Sequence, residues 1–323
     1  MKKNVIGYNR ISEDSIELLN SHFNFTFFKD VDFSENKLFL KKLKEAEGVI
    51  GMGFPGKGNI LDMAPNLKII SNIGAGFDNL DLTEMEKRNV MGTNTPSILN
   101  NTTADFIFSL LLASARRIPE MNTFVKEGKW LGTLEKDTFG IDVHNKKLGI
   151  IGMGEIGSLI AKRAHYGFDM DILYYNRSRN EKYEKKYKAK YCELGTLLQE
   201  SDFVCMMTPL TTKTKHMINK RHFQLMKKSA IFINGSRGET IVEEDLISAL
   251  LNQDIKGAAL DVYKNEPINN DNPLLKMDNV ITTPHMGAST IETISKISKL
   301  AAKNMIKGLN GEEPPNLLTL QAY

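Results

Sequence analysis

Three ionisable residues follow apolar runs in the second half of the chain. Arg237, Glu266 and His285 each stand in a loop that comes directly after a predicted buried strand. Because the carboxyl ends of parallel strands face the ligand in α/β sheets, we expect the three side chains to share one site. Taken singly, each residue also fits a structural role, namely a surface arginine, a turn glutamate and a loop histidine held by backbone groups.

Together the three residue types suit the reduction of a 2-keto acid. A fixed cation binds the substrate carboxylate, so Arg237 is a candidate for substrate binding and catalysis. A histidine can give a proton to the carbonyl oxygen near neutral pH, and His285 is the candidate for that role. A carboxylate beside the imidazole fixes its tautomer and favours its protonated form, which Glu266 can do.

A glycine pattern upstream predicts a dinucleotide site. Gly152, Gly154 and Gly157 form a Gly-x-Gly-x-x-Gly sequence between an apolar strand and a helical stretch. The first glycine permits a tight turn, the second lets the backbone approach a pyrophosphate, and the third lets helix and strand pack closely. Free N–H groups at the start of the helix, next to Glu155 and Ile156, attract phosphate. A glycine-rich turn without a ligand is the alternative.

The end of the following strand predicts which dinucleotide binds. NAD sites usually carry Asp or Glu there, to bond the ribose hydroxyls. This chain has Asn176, Arg177, Ser178 and Arg179 instead. Guanidinium groups bind phosphate well, whereas a carboxylate would repel a 2′-phosphate. The sequence therefore predicts NADPH as the preferred cofactor, with NADH as the weaker alternative if the loop is only a solvated basic turn.

A second glycine-rich loop, at residues 73–78, follows a strand in the first part of the chain. Small residues there leave backbone N–H groups open to a small anion, so Ala75 and Gly76 are candidates for binding the substrate carboxylate. A plain turn is the alternative. The loop at residues 51–54 is a weaker candidate for lining the same site.

These motifs depend on an alternation of strands and helices that predicts an α/β fold. We expect two Rossmann-like, doubly wound parallel-sheet domains, with the cofactor domain inserted in the substrate domain. The predicted bounds are 1–99 and 286–323 for the substrate-binding domain and 100–285 for the NAD(P)-binding domain, with the active site in the cleft between them. The strand candidates are 5–8, 48–51, 68–73, 147–151, 171–175, 203–207, 230–233, 258–262 and 280–282.

Composition limits the remaining classes of protein. Of the 323 residues, 41 % are hydrophobic and 25 % are charged, which is ordinary for a globular protein and argues against disorder. A net charge of +3 with scattered Lys and Arg gives no reason to expect nucleic-acid binding. The two cysteines, Cys192 and Cys205, form no Cys-x-x-Cys pair, so we expect no metal site and a cytoplasmic protein with reduced thiols. No apolar run predicts a signal peptide or a membrane span.

The motifs resemble those of the D-isomer-specific 2-hydroxyacid dehydrogenase family over nearly the whole chain, from Gly48 to about Leu309. Residues 139–144, 163–168 and 197–204 are similar to a bacterial subgroup that reduces glyoxylate, hydroxypyruvate and 2-ketogluconate. The motifs that carry the family resemblance are Gly-Ala-Gly-Phe-Asp at 74–78, Gly-Met-Gly-Glu-Ile-Gly at 152–157, Asn-Gly-Ser-Arg-Gly at 234–238, Asp-Val-Tyr-Lys-Asn-Glu-Pro at 261–267 and Thr-Pro-His-Met-Gly at 283–287.

The resemblance implies roles that the residue pattern alone does not give. Asp261 would hold the nicotinamide carboxamide, Thr208 and Pro209 would line the cofactor near its ribose and phosphates, and the carbonyl of Ser236 would face the nicotinamide. It also implies a homodimer formed through the cofactor domain, with residues 103–118 and the segment after them near the interface. One departure is Glu155, where many relatives carry Arg or Lys.

Rival functions remain open at this stage. An NAD-dependent D-2-hydroxyacid or phosphoglycerate dehydrogenase would share the fold, although residues 176–179 speak against NAD. Formate dehydrogenases pair the histidine with glutamine, so Glu266 argues against that activity. A nucleotide-sensing scaffold, like the corepressors that share this fold, is the alternative outside the enzymes.

Overall fold

The structure is a computed structural model that describes residues 1–29, 31–33 and 35–320. It divides into two compact units. Unit 1 combines Met1–Leu99 with Ala288–Tyr323, and unit 2 is the continuous segment Asn100–Gly287. Unit 2 therefore ends two residues beyond the predicted boundary at residue 285.

The described residues form twelve strands, all paired in parallel. They are β1 (Asn4–Tyr8), β2 (Asn24–Phe28), β3 (Gly48–Gly51), β4 (Ile69–Asn72), β5 (Met91–Thr93), β6 (Lys147–Ile151), β7 (Asp171–Tyr175), β8 (Lys190–Tyr191), β9 (Phe203–Met206), β10 (Ile231–Asn234), β11 (Gly257–Leu260) and β12 (Val280–Thr282).

Twelve α-helices separate or flank these strands in the described part of the chain. They are α1 (Glu13–His22), α2 (Lys37–Glu45), α3 (Asn59–Asp62), α4 (Leu82–Lys87), α5 (Asn100–Ala115), α6 (Ile118–Lys126), α7 (Glu155–Phe168), α8 (Glu181–Tyr187), α9 (Leu194–Glu200), α10 (Lys220–Leu225), α11 (Glu243–Leu251) and α12 (Ile291–Leu309). Short 3₁₀ helices lie at Lys136–Thr138, Gly238–Thr240 and Pro273–Lys276.

Unit 1 is built on a five-stranded sheet in the order β2-β1-β3-β4-β5. This is a doubly wound order in which the chain turns back between β1 and β3. Helix α12 covers one face of the sheet, where Ile297, Ala301 and Met305 pack with Val5 and Ile69. The Ser71 hydroxyl also donates to the Ala301 carbonyl at 2.9 Å, so the last helix belongs to the core of this unit.

Unit 2 is built on a seven-stranded sheet in the order β12-β11-β10-β9-β6-β7-β8. The order in which the strands are added reverses between β6 and β9, which is the switch point where doubly wound sheets bind ligands. Alternate residues of the strands enter two separate cores, one on each face; Ile150 and Phe203 belong to one, and Ile151 and Val204 to the other. Such burial on both faces explains why these strands read as continuous apolar runs.

The two parallel sheets confirm the predicted fold class, and the strands at 48–51, 147–151, 171–175 and 280–282 have the predicted bounds. Three strands were not predicted, namely β2, β5 and β8. Helix α5 stops at Ala115, and Arg117 adopts a left-handed conformation with φ +54° before α6 begins.

Candidate active site

The glycine motif forms a tight turn at the switch point of unit 2. Gly152 has φ +104°, and a Cβ there would lie 2.7 Å from the carbonyl carbon of Met207. A Cβ on Gly157 would lie 2.3 Å from the Gly152 oxygen. Only glycine therefore fits at these two positions, because the obstructing atoms are backbone and cannot swing aside.

Gly154 differs from the other two glycines. A Cβ there would meet nothing within 4 Å, and the residue is the N-cap of α7 with φ −84°. The space beside the helix start is thus open, and its N–H groups and positive dipole end suit an anion such as a pyrophosphate. The Glu155 carboxylate at this position is hydrogen-bonded, since it accepts from Asn100 Nδ2. These features fit a dinucleotide.

The loop after β7 is tied to the glycine motif and to α8. Asn176 Oδ1 accepts from the Met153 N–H at 2.6 Å, so this side chain shapes the turn as well as lying at the predicted ribose end. Arg179 forms an ion pair with Glu184, with Nη2 2.7 Å from Oε2. Arg177 and Ser178 are exposed, and Arg177 makes no hydrogen bond or ion pair with a described residue.

His285 and Glu266 form a direct pair. The imidazole Nδ1 lies 2.7 Å from Glu266 Oε2, while Glu266 Oε1 accepts from the Tyr263 N–H at 3.0 Å. Partial burial acts to raise the pKa of Glu266, but the hydrogen bond and charge of His285, with help from Arg237, outweigh burial and leave the pKa below its usual range. The carboxylate is therefore ionised at neutral pH and can orient the imidazole through Nδ1.

Arg237 lies in a half-buried loop braced from both sides. Asn234, at the end of β10, uses Nδ2 to donate to the Arg237 carbonyl at 3.2 Å, and the Arg237 guanidinium donates to the Ser236 carbonyl at 2.8 Å. A Cβ on Gly238 would lie 1.9 Å from the carbonyl carbon of Tyr263. This contact brings the loops after β10 and β11 together, so the loops that carry Arg237 and Glu266 adjoin.

Asp261 is buried and accepts three hydrogen bonds. Its Oδ1 accepts from Thr283 Oγ1 at 2.7 Å and from the Met286 N–H at 2.9 Å, and its Oδ2 accepts from the Gly287 N–H at 2.9 Å. Burial raises the pKa of Asp261, and these bonds offset only part of that effect. The side chain therefore holds the loop that presents His285, a role that sequence analysis did not foresee.

The remaining predicted cofactor residues surround the same strand ends. Thr208 and Pro209 follow β9, and the backbone of Thr208 lies against Gly152. Ser236 is buried, with its hydroxyl donating to Asn234 Oδ1 at 2.9 Å. Asn234 was missed as a positioning residue, although a polar residue that closes an apolar strand is a signal that could have pointed to it.

In unit 1, side-chain amides hold the loop at residues 73–78. Asn94 Nδ2 donates to the Ala75 carbonyl and Asn72 Nδ2 to the Gly76 carbonyl, both at 2.8 Å. The N–H groups of Ala75 and Gly76 donate to no described residue. Two adjacent amides without internal partners form a site that suits a small anion. Asn72 and Asn94 had not been predicted to take part.

Within the described residues, no helix is both long and apolar enough to cross a membrane, and no group of three or more His, Cys, Asp or Glu side chains could hold a metal ion.

A dinucleotide-binding strand order with open space beside Gly154 at its switch point, together with an arginine and a histidine–glutamate pair, defines an NAD(P)-dependent oxidoreductase. The chain belongs to the D-isomer-specific 2-hydroxyacid dehydrogenase family, whose NAD-binding domain matches residues 108–287.

Curated relatives match almost end to end. The chain is 42 % identical to glyoxylate/hydroxypyruvate reductase B of Cronobacter sakazakii, with 100 % of this chain and 99 % of the relative covered. It is also 42 % identical to a probable 2-ketogluconate reductase of Dictyostelium discoideum, with 97 % of this chain and 94 % of the relative covered. These likenesses agree with the family and subgroup expected from the sequence.

Solved structures share the fold. A Thermus thermophilus protein superimposes with a TM-score of 0.90 at 31 % identity, covering 98 % of this chain and 99 % of its own. The NADPH-dependent glyoxylate/hydroxypyruvate reductase of Sinorhizobium meliloti, in complex with NADP and malonate, superimposes with a TM-score of 0.87 at 25 % identity, covering 99 % and 97 %.

Proposed function

We propose that the protein reduces small 2-keto acids such as glyoxylate, hydroxypyruvate and 2-ketogluconate to D-2-hydroxy acids, with NADPH preferred over NADH. The observation that carries the proposal is the 2.7 Å contact between His285 Nδ1 and Glu266 Oε2. This pairing reserves Nε2 for proton transfer, which a keto acid needs when its carbonyl oxygen gains negative charge. The names of the curated relatives support the same substrates.

The protein's own groups divide the work as follows. Arg237 binds the substrate carboxylate through charge-assisted hydrogen bonds, and its neighbour Asn234 fixes the backbone of its loop. The unpartnered amides of Ala75 and Gly76 are proposed to bind a carboxylate oxygen. His285 gives its proton to the developing alkoxide, while Glu266 stabilises the protonated imidazole before the transfer. A bound nicotinamide supplies the hydride.

The residues at the cofactor site have proposed roles as well. The N–H groups at the start of α7, beside Gly154, Glu155 and Ile156, bind the pyrophosphate. Asn176, Arg177, Ser178 and Arg179 bind the 2′-phosphate of NADPH. Thr208, Pro209, Ser236 and Asp261 line the nicotinamide half. Asp261 thus has two tasks, because its carboxylate also holds the loop that carries His285.

We also propose a homodimer and a cytoplasmic location. Helix α6 has no buried residue, and the segment around it exposes Ile118, Val125, Trp130 and Leu131. An apolar patch of this kind marks an interaction surface, and a second copy of the chain is the proposed partner. Both cysteines are free thiols, as is usual in a reducing compartment.

The test is a set of initial rates with the three keto acids, each with NADPH and with NADH. We expect turnover of at least one keto acid and a clear preference for NADPH. The Arg237→Ala variant is expected to lower kcat/KM about 100-fold, because the substrate carboxylate loses a charged partner. Cofactor binding without turnover of any substrate would instead favour the sensing role. Near-normal rates in Arg237→Ala would contradict the assignment of that residue.

A further inference from the structure

Three side chains at the adenosine end of the cofactor site form a connected chain. Tyr174 is fully buried on β7, and its hydroxyl donates to Glu184 Oε1 at 2.6 Å. Glu184, on α8, accepts two hydrogen bonds from Arg179, from Nε at 3.1 Å and from Nη2 at 2.7 Å. The Asn180 N–H in turn donates to the Tyr174 hydroxyl at 2.7 Å. The loop at residues 176–180 is therefore anchored to the buried strand directly through Asn180 and indirectly through Arg179 and Glu184.

The geometry of the ion pair fixes the plane of the guanidinium. Two roughly parallel bonds to one carboxylate allow a single orientation of Arg179, unlike a bond to one oxygen. The side chain of Glu184 is 16 % exposed, whereas that of Arg179 is 63 % exposed. Glu184 uses the Nε and Nη2 edge of the guanidinium, which leaves the Nη1 edge for a ligand phosphate.

The pair of Arg179 and Glu184 differs from the ion pair that lies within α8. Glu181 and Lys185 stand 4.0 Å apart and are both about four-fifths exposed, which is the geometry of an exposed pair with little effect. For Glu184, the hydrogen bonds from Arg179 and then from Tyr174 lower the pKa to about 2. Its carboxylate thus stays ionised, and keeps its hold on Arg179, across the range in which the enzyme works.

We infer that Glu184 is a positioning residue for cofactor discrimination, which holds the guanidinium of Arg179 in place for the 2′-phosphate of NADPH. The inference rests on the proposed preference for NADPH and adds the residue that makes Arg179 effective. Arg177, which pairs with no described residue, supplies charge without a fixed direction. The charge of Arg179 is largely compensated by Glu184. Its contribution is the fixed direction of its remaining N–H groups, which the two bonds to Glu184 set. Discrimination therefore depends on orientation as well as on charge.

The experiment measures kcat and KM for NADPH and for NADH at saturating keto acid. Arg179→Ala establishes whether that arginine contributes to the preference at all. Glu184→Ala removes the anchor, and Glu184→Gln keeps the side-chain volume and one oxygen acceptor. Tyr174→Phe removes the hydroxyl that donates to Glu184 and that also accepts from the Asn180 N–H. Glu181→Gln is the matched control, since it removes one negative charge from the same helix without touching Arg179.

We expect Glu184→Ala to raise KM for NADPH about tenfold, with kcat and the KM for NADH changed less than about twofold. Glu184→Gln should restore part of the loss, Tyr174→Phe should show a smaller loss of the same kind, and Glu181→Gln should match the wild type. In the double variant Arg179→Ala/Glu184→Ala, the loss should equal that of Arg179→Ala alone, because Glu184 acts through Arg179.

Two results would overturn the inference while leaving the proposed function intact. In the first, Arg179→Ala weakens NADPH use but Glu184→Ala does not. In the second, Glu184→Gln and Glu181→Gln both improve NADPH binding, which would mean that Glu184 acts only as a repulsive charge. A wild-type enzyme that uses NADH as well as NADPH, or an Arg179→Ala variant with unchanged preference, would overturn the proposed cofactor preference together with the inference.

Discussion

At the scale of single residues, the site is a set of pairs in which one residue is proposed to take part in the reaction and another positions it. Glu266 holds His285, Asn234 holds the loop of Arg237, and Asp261 holds the backbone N–H groups of Met286 and Gly287. The holding residues are buried or fully bonded, so their influence on chemistry passes through geometry and charge. Variants of the two kinds of residue should therefore differ in which kinetic quantity they change.

The histidine–glutamate pair gives a pH prediction. The ionised Glu266 carboxylate orients the imidazole of His285, so the rate should fall as pH falls through the lowered pKa of Glu266. Glu266→Gln removes that titrating carboxylate, so kcat should be lower than in the wild type and the fall at low pH should be absent. His285→Ala should lower kcat about 100-fold or more, at every pH. Profiles of kcat against pH for the two variants measure both effects.

Glu244→Gln is the control, because it also removes a carboxylate near this loop but contacts Lys264 and not His285. An unchanged profile in Glu266→Gln would contradict the proposed role of the pair. The lowered pKa of Glu266 also affects the stability of the fold. Because this pKa lies below the ordinary value of 4.5, the stabilising effect of the ionised carboxylate is complete above pH 4.5. It is lost as pH falls through the lowered pKa.

The residues that could be predicted from the sequence were those with a chemical pattern. Arg237, Glu266 and His285 each follow an apolar run, and that placement alone indicates a ligand-facing position. Asn94 and Glu184 could not be assigned in this way. Their roles depend on contacts with residues distant in sequence or on the direction of a side chain, and neither leaves a periodic trace.

At the scale of elements, the glycine motif separates packing from binding. Gly157 is required because α7 packs directly on the turn of Gly152, whereas the space at Gly154 is empty of protein atoms. The two glycines have different roles, although one motif contains both: Gly157 permits packing, and Gly154 leaves space for a ligand. The consequence is a contrast that can be measured with one added methyl group at each position.

Gly157→Ala should destabilise the protein by about 1–3 kcal/mol and weaken cofactor binding, because the methyl group overlaps backbone. Gly154→Ala should leave the unfolding temperature nearly unchanged but weaken NADPH binding, because the methyl group occupies space that the pyrophosphate needs. Thermal unfolding and fluorescence titration with NADPH measure the two quantities. Gly167→Ala, on an exposed part of the same helix, is the control. Equal stability losses at 154 and 157 would argue against this division.

The elements that sequence analysis missed share a physical reason. Strand β8 has two residues and β5 has three, which is too short to show a pattern. Strand β2 lies at the edge of its sheet and is only partly buried, so it does not read as an apolar run. Central strands, buried on both faces, were found readily.

At the scale of the whole molecule, the two units differ in how the chain builds them. Unit 2 is one continuous segment, whereas unit 1 needs both ends of the chain. The sequence leads to the expectation of an inserted cofactor domain, because the β–α rhythm restarts before the glycine motif and a long helix remains after the last strand. The apolar surface on unit 2 around α6 could not be predicted as exposed, since apolar residues in a sequence usually indicate burial.

The proposed homodimer gives a prediction at this scale. Val125→Asp combined with Leu131→Asp should shift the mass in solution from that of two chains towards the 36.3 kDa of one, because charged groups in an apolar interface are strongly unfavourable. Light scattering coupled to size exclusion measures the mass over a range of concentrations. Leu251→Asp, at an exposed leucine elsewhere on unit 2, should leave the mass unchanged. A wild-type monomer at all concentrations would contradict the proposal.

The discontinuity of unit 1 has a consequence for biosynthesis. Strands β1 to β5 leave the ribosome before unit 2, but α12, which covers Val5 and Ile69, is made after it. The bond between Ser71 and Ala301 joins positions 230 residues apart. One face of the nascent sheet must therefore stay uncovered while all of unit 2, whose contacts are internal to one segment, is synthesised and can fold. During that interval the nascent chain offers apolar surface to chaperones, until α12 is made and packs on the sheet.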